Sequence, residues 1–443
     1  MDNRLKTAIP GPKGTAEFKR RVDSMPKGLS VKLKTIAAKA EGALIEDIDG
    51  NKLIDFASGI GVMNIGYGNA ELIQAAKNQL DKIFHPQIYL FGCEATIEAA
   101  EAMNEIVPGD FPKQTLFCNC GSESVENAIK IARYVTKRSE IVCFTNAFHG
   151  RTYMTMALTS KVKPYKNGFG PLPGGVSRME SPYKYRMPDA VKEENFVEYY
   201  IGKAKQFFLE QMDPAEVAAI ILEPVQGEGG FIVFPPEYVQ WLRKFCDENG
   251  ILLIADEIQS GFCRTGKMFA SQYWGVYPDL VVSSKSIASG LPLGAVTGRK
   301  DIMDQVHVGG LGGTLNGNPV SCAVAKKAIE IFKRDNFAQK AIDIGNKTAK
   351  RIEAMKSKFS CIGDFRGIGA MQAIELVRNQ KTKEPATSEV SAIVQECWAN
   401  GLVVLDAGMR GNCIRFLMPL VITDAQLNEG MDILEAAIGK AFK

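Results

Sequence analysis

Between residues 251 and 294 two short apolar runs each end on side chains that can do chemistry, and no other stretch limits the possible folds as much. Residues 251–255 stop at Asp256-Glu257, and residues 280–282 stop at Ser283-Ser284-Lys285 before a glycine-rich turn. Runs that are apolar without alternation predict strands buried on both faces, as in a parallel sheet covered by helices. In such a sheet ligands bind outside the carboxyl ends of the strands. Asp256 and Lys285 are therefore expected at equivalent strand ends, facing one crevice.

An acid and a lysine in one crevice suit pyridoxal phosphate. This cofactor needs a lysine amine to carry it as a Schiff base and an acidic partner to keep its pyridine nitrogen protonated. The same two residues also make an ordinary strand-end ion bridge, and the neighbouring segments decide between the readings.

Composition narrows the class. A chain of 443 residues is too long for one core and suits two or three domains. With 53 basic and 50 acidic residues the net charge is +3, which points to neither nucleic acid nor an anionic membrane. The ten cysteines are scattered and form no C-x-x-C, so neither a zinc site nor a disulfide framework is expected, and a reducing cytoplasm is the simplest setting. The three histidines, His85, His149 and His307, have no ligand spacing, so no metal is expected. No segment approaches a membrane span or a signal peptide.

Read in order, residues 1–40 form a polar arm, and 43–56 form a hairpin around Asp49-Gly50. A small-residue loop follows, then helices over 70–83 and 94–106. A β-rich run then leads to Gly121-Ser122 and a helix, where a serine N-cap and free N–H groups would make an anion site. A strand over 140–144 leads to Phe148-His149-Gly150-Arg151, an aromatic, an imidazole and a guanidinium able to stack on a ring and bind a carboxylate. Residues 161–190 look like a long loop of the kind that covers a substrate. The run 217–222 predicts a buried strand ending at Glu223, with Glu228 just beyond, and 236–249 predicts a helix. Helices over 319–333 and 338–357 come next. Strands over 371–377 and 402–405, an exposed turn over 381–388 and a closing helix over 424–441 complete a smaller α+β unit with Arg415 on its last strand. This alternation predicts an α/β fold with a doubly wound, mostly parallel sheet.

Six segments in order, NCGSESVENAIKIAR, FHGRT, ILEPVQGEGG, ADEIQSGFCRTGKMFA, SSKSIASGLPLGAV and GGTLNGNP, resemble the class III aminotransferases of the fold type I pyridoxal-phosphate superfamily. The lysine–aspartate interval, 285 minus 256, is the family's 29. The resemblance implies a large cofactor-binding domain (57–318), a small C-terminal domain (319–443) and an N-terminal arm and hairpin (1–56) packing with the latter. It implies that Lys285 is the Schiff-base lysine and proton shuttle, with Asp256 the pyridine-nitrogen partner and Glu223 beside them. Phe148 would stack on the ring with His149 near it, Gly121 and Ser122 would hold the phosphate, and Gln259 would lie near the phenolic oxygen. Thr314 resembles the residue that reaches the phosphate of a neighbouring subunit's cofactor, which implies a homodimer or homotetramer. One departure is Cys118-Asn-Cys120, where most relatives carry a hydroxyl residue before the glycine.

The resemblance also implies a substrate set: an ω-amino donor with one carboxylate alternating with glutamate or 2-oxoglutarate with two, in one pocket. Arg415 resembles the arginine for the α-carboxylate of the dicarboxylic partner, and Glu228 the residue that pairs with it in the other half-reaction. Arg151 resembles the clamp for the distal carboxylate, with Ile60 and Glu223 shaping the pocket. Ile60 with Arg151 favours 4-aminobutyrate over ornithine or acetylornithine. Other donors (5-aminovalerate, β-alanine, lysine) stay open, as does a racemase or epimerase of the same fold.

Overall fold

The computed structural model describes residues 4–442. Its centre is a seven-stranded sheet in the order Lys113–Cys118, Gly294–Arg299, Leu280–Ser283, Leu252–Asp256, Val217–Leu222, Glu140–Phe144 and Val176–Met179. Gly294–Arg299 runs antiparallel to both its neighbours, while the five strands from Leu280–Ser283 to Val176–Met179 pair in parallel. The sheet is therefore the expected mostly parallel one. Every residue of Val217–Leu222 and Leu280–Ser283 is buried, which is why these strands read as unbroken apolar runs. Val125, Ile129 and Ala132 of helix Gly121–Thr136 pack on one face with Ile221, Ile254 and Val282. Pro236–Asn249 covers the other face through Tyr238, Val239 and Leu242.

A second, antiparallel sheet joins Ile362–Ile368, Met371–Asn379, Cys413–Phe416 and Leu405–Ala407. Here the structure departs from the sequence-based expectation in three places. Leu402–Val403 leaves this sheet and pairs in parallel with Lys52–Asp55, extending the N-terminal hairpin sheet. Within 381–388, Glu384–Pro385 bridges back to Met371–Asn379, and a helix begins at Thr387, so the segment is more than a turn. Val176–Met179 is the edge strand of the large sheet and cuts the loop expected over 161–190 in two. Each of these strands is short, and two to four residues leave too little alternation to read.

Candidate active site

The register of the central strands sets the site. Asp256 stands opposite Val282 on the adjacent parallel strand, and Lys285 follows three residues later on the same edge. Asp256 is 3% exposed. Its Oδ2 lies 2.7 Å from Nδ1 of the buried His149, and its Oδ1 accepts the backbone N–H of Ile258 at 3.1 Å. Lys285 has a left-handed φ of 51°, a strained conformation for a side-chain-bearing residue and one found at sites that aim a group. Burial, opposed by the charge of Glu223, lowers its ammonium to about 8.

Glu223 ends the next strand. Its two oxygens accept the backbone N–H groups of Phe148 (2.8 Å) and Gly227 (2.9 Å). Burial pushes it up to about 7, with His149 opposing and Asp256 assisting. A Cβ on Gly227 would overlap the Gln259 carboxamide, so glycine here leaves room for that side chain. The Gln259 Nε2 donates to the Ile60 carbonyl at 3.2 Å, so these two residues meet across 199 positions of chain.

The helix Gly121–Thr136 does not have the serine-capped start expected of it. Cys120 is the N-cap, and no side chain caps the helix. Ser122 lies inside the first turn, where its Oγ accepts the Arg151 N–H at 3.2 Å. A Cβ on Gly121 would come to 2.8 Å from the end of the Ile258 side chain, so glycine lets this helix start pack closely beside Ile258. An uncapped helix start of this kind offers unused N–H groups to an anion.

On the far side, Arg415 Nη1 donates to Glu228 Oε1 at 2.7 Å, with side-chain exposures of 5% and 19%. Burial alone would raise Glu228, but Arg415 and a hydrogen bond from Tyr165 hold it at about 2. The Tyr165 hydroxyl donates to Glu228 Oε2 at 2.9 Å. Its ring lies 4.5 Å from the Arg151 guanidinium and meets Phe148 edge-on at 5.0 Å. Sequence reasoning does not single out Tyr165; the available signal is an aromatic residue in a basic loop soon after FHGRT. Thr314 is exposed and takes part in none of these contacts.

The class III aminotransferase family model matches residues 27–438. The chain belongs to this family. This class III aminotransferase is 43% identical to the 4-aminobutyrate aminotransferase GabT of Escherichia coli, over 96% of this chain and 98% of that one. It is 42% identical to the 5-aminovalerate aminotransferase DavT of Pseudomonas aeruginosa over 94% and 96%. An amine transaminase from an uncultivated Pseudomonas species, solved in its pyridoxal-phosphate-bound form, shares the fold at a TM-score of 0.85 and 30% identity over 92% and 95%.

Class III aminotransferases use pyridoxal phosphate, and this site fits it. The lowered lysine, the buried carboxylate on the neighbouring strand and the uncapped helix start answer to the group's aldehyde, ring nitrogen and phosphate. Two buried polar atoms without partners among the described residues, Gln259 Oε1 and His149 Nε2, belong to the same cluster. Both atoms are free to pair with a bound group.

Proposed function

We propose that this class III aminotransferase moves the amino group of 4-aminobutyrate to 2-oxoglutarate, giving succinate semialdehyde and glutamate. The observation that carries the reading is the Glu228–Arg415 pair, buried at Arg415 and half-buried at Glu228, beside the exposed Arg151. A donor with one carboxylate needs one cation, and a dicarboxylic acceptor needs two. Arg415 closed by Glu228 leaves only Arg151 for the first substrate; Arg415 released serves the second. Arg415 Nε is buried with no partner among the described residues, a donor spare for an incoming carboxylate.

Pyridoxal phosphate, when bound, supplies the electron sink that lets the amino-bearing carbon give up a proton. In this reading Lys285 Nζ holds and returns that proton, and a group lowered to about 8 is well matched to the task. Asp256, held by His149, would keep a negative charge at the ring nitrogen. Gly121 and Ser122 would bind the phosphate, Phe148 would face the ring, and Gln259 and Glu223 would fix the groups around it. Ile60, 47% exposed, forms part of the entrance.

A second copy of the chain completes the reading. Tyr89, Leu90 and Phe91 are 63%, 73% and 68% exposed, and Val308 is fully so. Tyr89 adjoins Gly309 and Gly312, so this apolar surface runs up to the segment carrying Thr314. Surfaces of this kind mark interfaces between subunits, which supports a homodimer or a homotetramer in which Thr314 serves the neighbouring site. No helix of the described residues is long and apolar enough to cross a membrane. The free cysteines suit a reducing compartment, and on that ground we place the enzyme in the cytoplasm.

Likeness to the 5-aminovalerate enzyme supports a second donor one methylene longer. A panel of 4-aminobutyrate, 5-aminovalerate, β-alanine and lysine, each with 2-oxoglutarate and with the aldehyde product measured, tests both. Absence of 4-aminobutyrate turnover would overturn the preferred substrate, and multiple turnovers without any keto acid would overturn transamination.

A further inference from the structure

Residues 162–164 and 167–170 are exposed, yet Tyr165 between them is turned inward. Its hydroxyl takes one oxygen of Glu228 while Arg415 takes the other. The same segment holds the backbone of Glu228 as well. Lys161 Nζ donates to the Gly408 carbonyl at 3.0 Å, and the Gly408 N–H donates to the Glu228 carbonyl at 2.9 Å. Meanwhile the Tyr165 ring covers the Arg151 guanidinium. One side chain therefore touches the carboxylate that closes Arg415 and the second arginine offered to substrate.

We propose that Tyr165 is a specificity-determining residue: its hydroxyl holds Glu228 in the position that closes Arg415 and so sets the balance between one-carboxylate and two-carboxylate substrates. This deepens the function proposed above and rests on it. A carboxylate held at both oxygens leaves Arg415 less readily than one held at a single oxygen. The hydroxyl thus favours the donor half-reaction and makes the acceptor work against it. The ring has a separate task, keeping Arg151 aimed at the distal carboxylate in both half-reactions.

Tyr165→Phe removes the hydroxyl and keeps the ring; Tyr165→Leu removes both. The holoenzyme is titrated with glutarate, which has two carboxylates and no amine, and with butyrate, which has one, following the cofactor absorbance. Each half-reaction is then timed separately by the same signal. For Tyr165→Phe we expect glutarate to bind about tenfold more tightly, the size of one hydrogen bond to a charged group, with butyrate unchanged or weaker. The 2-oxoglutarate half-reaction should gain in kcat/KM while the donor half-reaction loses. Tyr165→Leu should weaken both ligands. Equal changes for glutarate and butyrate in Tyr165→Phe, or none, overturn the proposal. Glu228→Gln separates the two ideas. If it shifts the glutarate-to-butyrate ratio and Tyr165→Phe does not, the role of Tyr165 fails and the gate stands. If neither shifts it, the gate fails and takes the role of Tyr165 with it.

Discussion

His149 Nδ1 lies 2.7 Å from Asp256 Oδ2, with both side chains shut off from water. The contact fixes a carboxylate that already accepts a backbone N–H on its other oxygen. An anion so oriented at a strand end stabilises a neighbouring positive charge without reorganising. Asp256→Asn keeps the shape and removes the charge. We expect it to lose turnover by on the order of 10²–10³-fold while still binding pyridoxal phosphate, with half-reaction rates at saturating donor as the measurement.

The two arginines should separate by half-reaction. Arg415→Gln is expected to slow the 2-oxoglutarate half-reaction by about 10–100-fold, the worth of one charged hydrogen-bonded contact, and to spare the donor half-reaction. Without Arg415, Glu228 loses the largest influence that opposes burial, and its carboxyl rises. Arg151→Gln should slow both half-reactions by similar factors. Single-turnover kinetics of each variant with 4-aminobutyrate and with 2-oxoglutarate checks the pattern, and a loss confined to the donor step in Arg415→Gln would reverse the assignment.

Much of this is legible in the sequence because strand ends announce themselves. Val217–Leu222 and Leu252–Asp256 are apolar until a carboxylate ends them, so their place in a covered sheet and the position of the acid follow together. Arg415 lies inside Cys413–Phe416, on the strand expected to carry it. What stays hidden depends on contacts far apart in the chain. Tyr165 meets Glu228 63 residues away, and Leu402–Val403 chooses the Lys52–Asp55 strand over its sequence neighbours. Local pattern carries neither fact. The helix at Gly121 misleads at its cap because a cysteine with no cap hydrogen bond occupies the place where a serine would be looked for.

The amine of Lys285 should control cofactor uptake. Only the unprotonated amine reacts with an aldehyde, and burial, working against Glu223, brings its value from 10.5 down to about 8. Uptake of pyridoxal phosphate by the cofactor-free enzyme is therefore expected to rise about tenfold per pH unit below about 8 and level off above it. The same shift gives stability its sign. Between about 8 and 10.5 the unfolded chain binds more protons at this position than the folded one, so stability of the cofactor-free chain rises with pH across that window. Lys285→Met should remove that part of the slope and melt higher than the parent near pH 7, in thermal unfolding followed by circular dichroism.

Thr314 can be tested by subunit exchange. If it serves the neighbouring site, a chain carrying Thr314→Glu has an intact Lys285 but spoils its partner's phosphate site with a like charge, whereas a Lys285→Ala chain spoils only its own. Each variant alone should be inactive or nearly so. Co-expressed, half of the dimers are mixed, and in each of these one site joins an intact Lys285 to an intact Thr314, so activity returns to about one site in four. If Thr314 acts within its own chain, each subunit of the mixed dimer carries its own defect, and co-expression leaves every site inactive. Recovery measured per mole of pyridoxal phosphate in co-purified mixed dimers, against none in the separately purified variants, distinguishes the two arrangements.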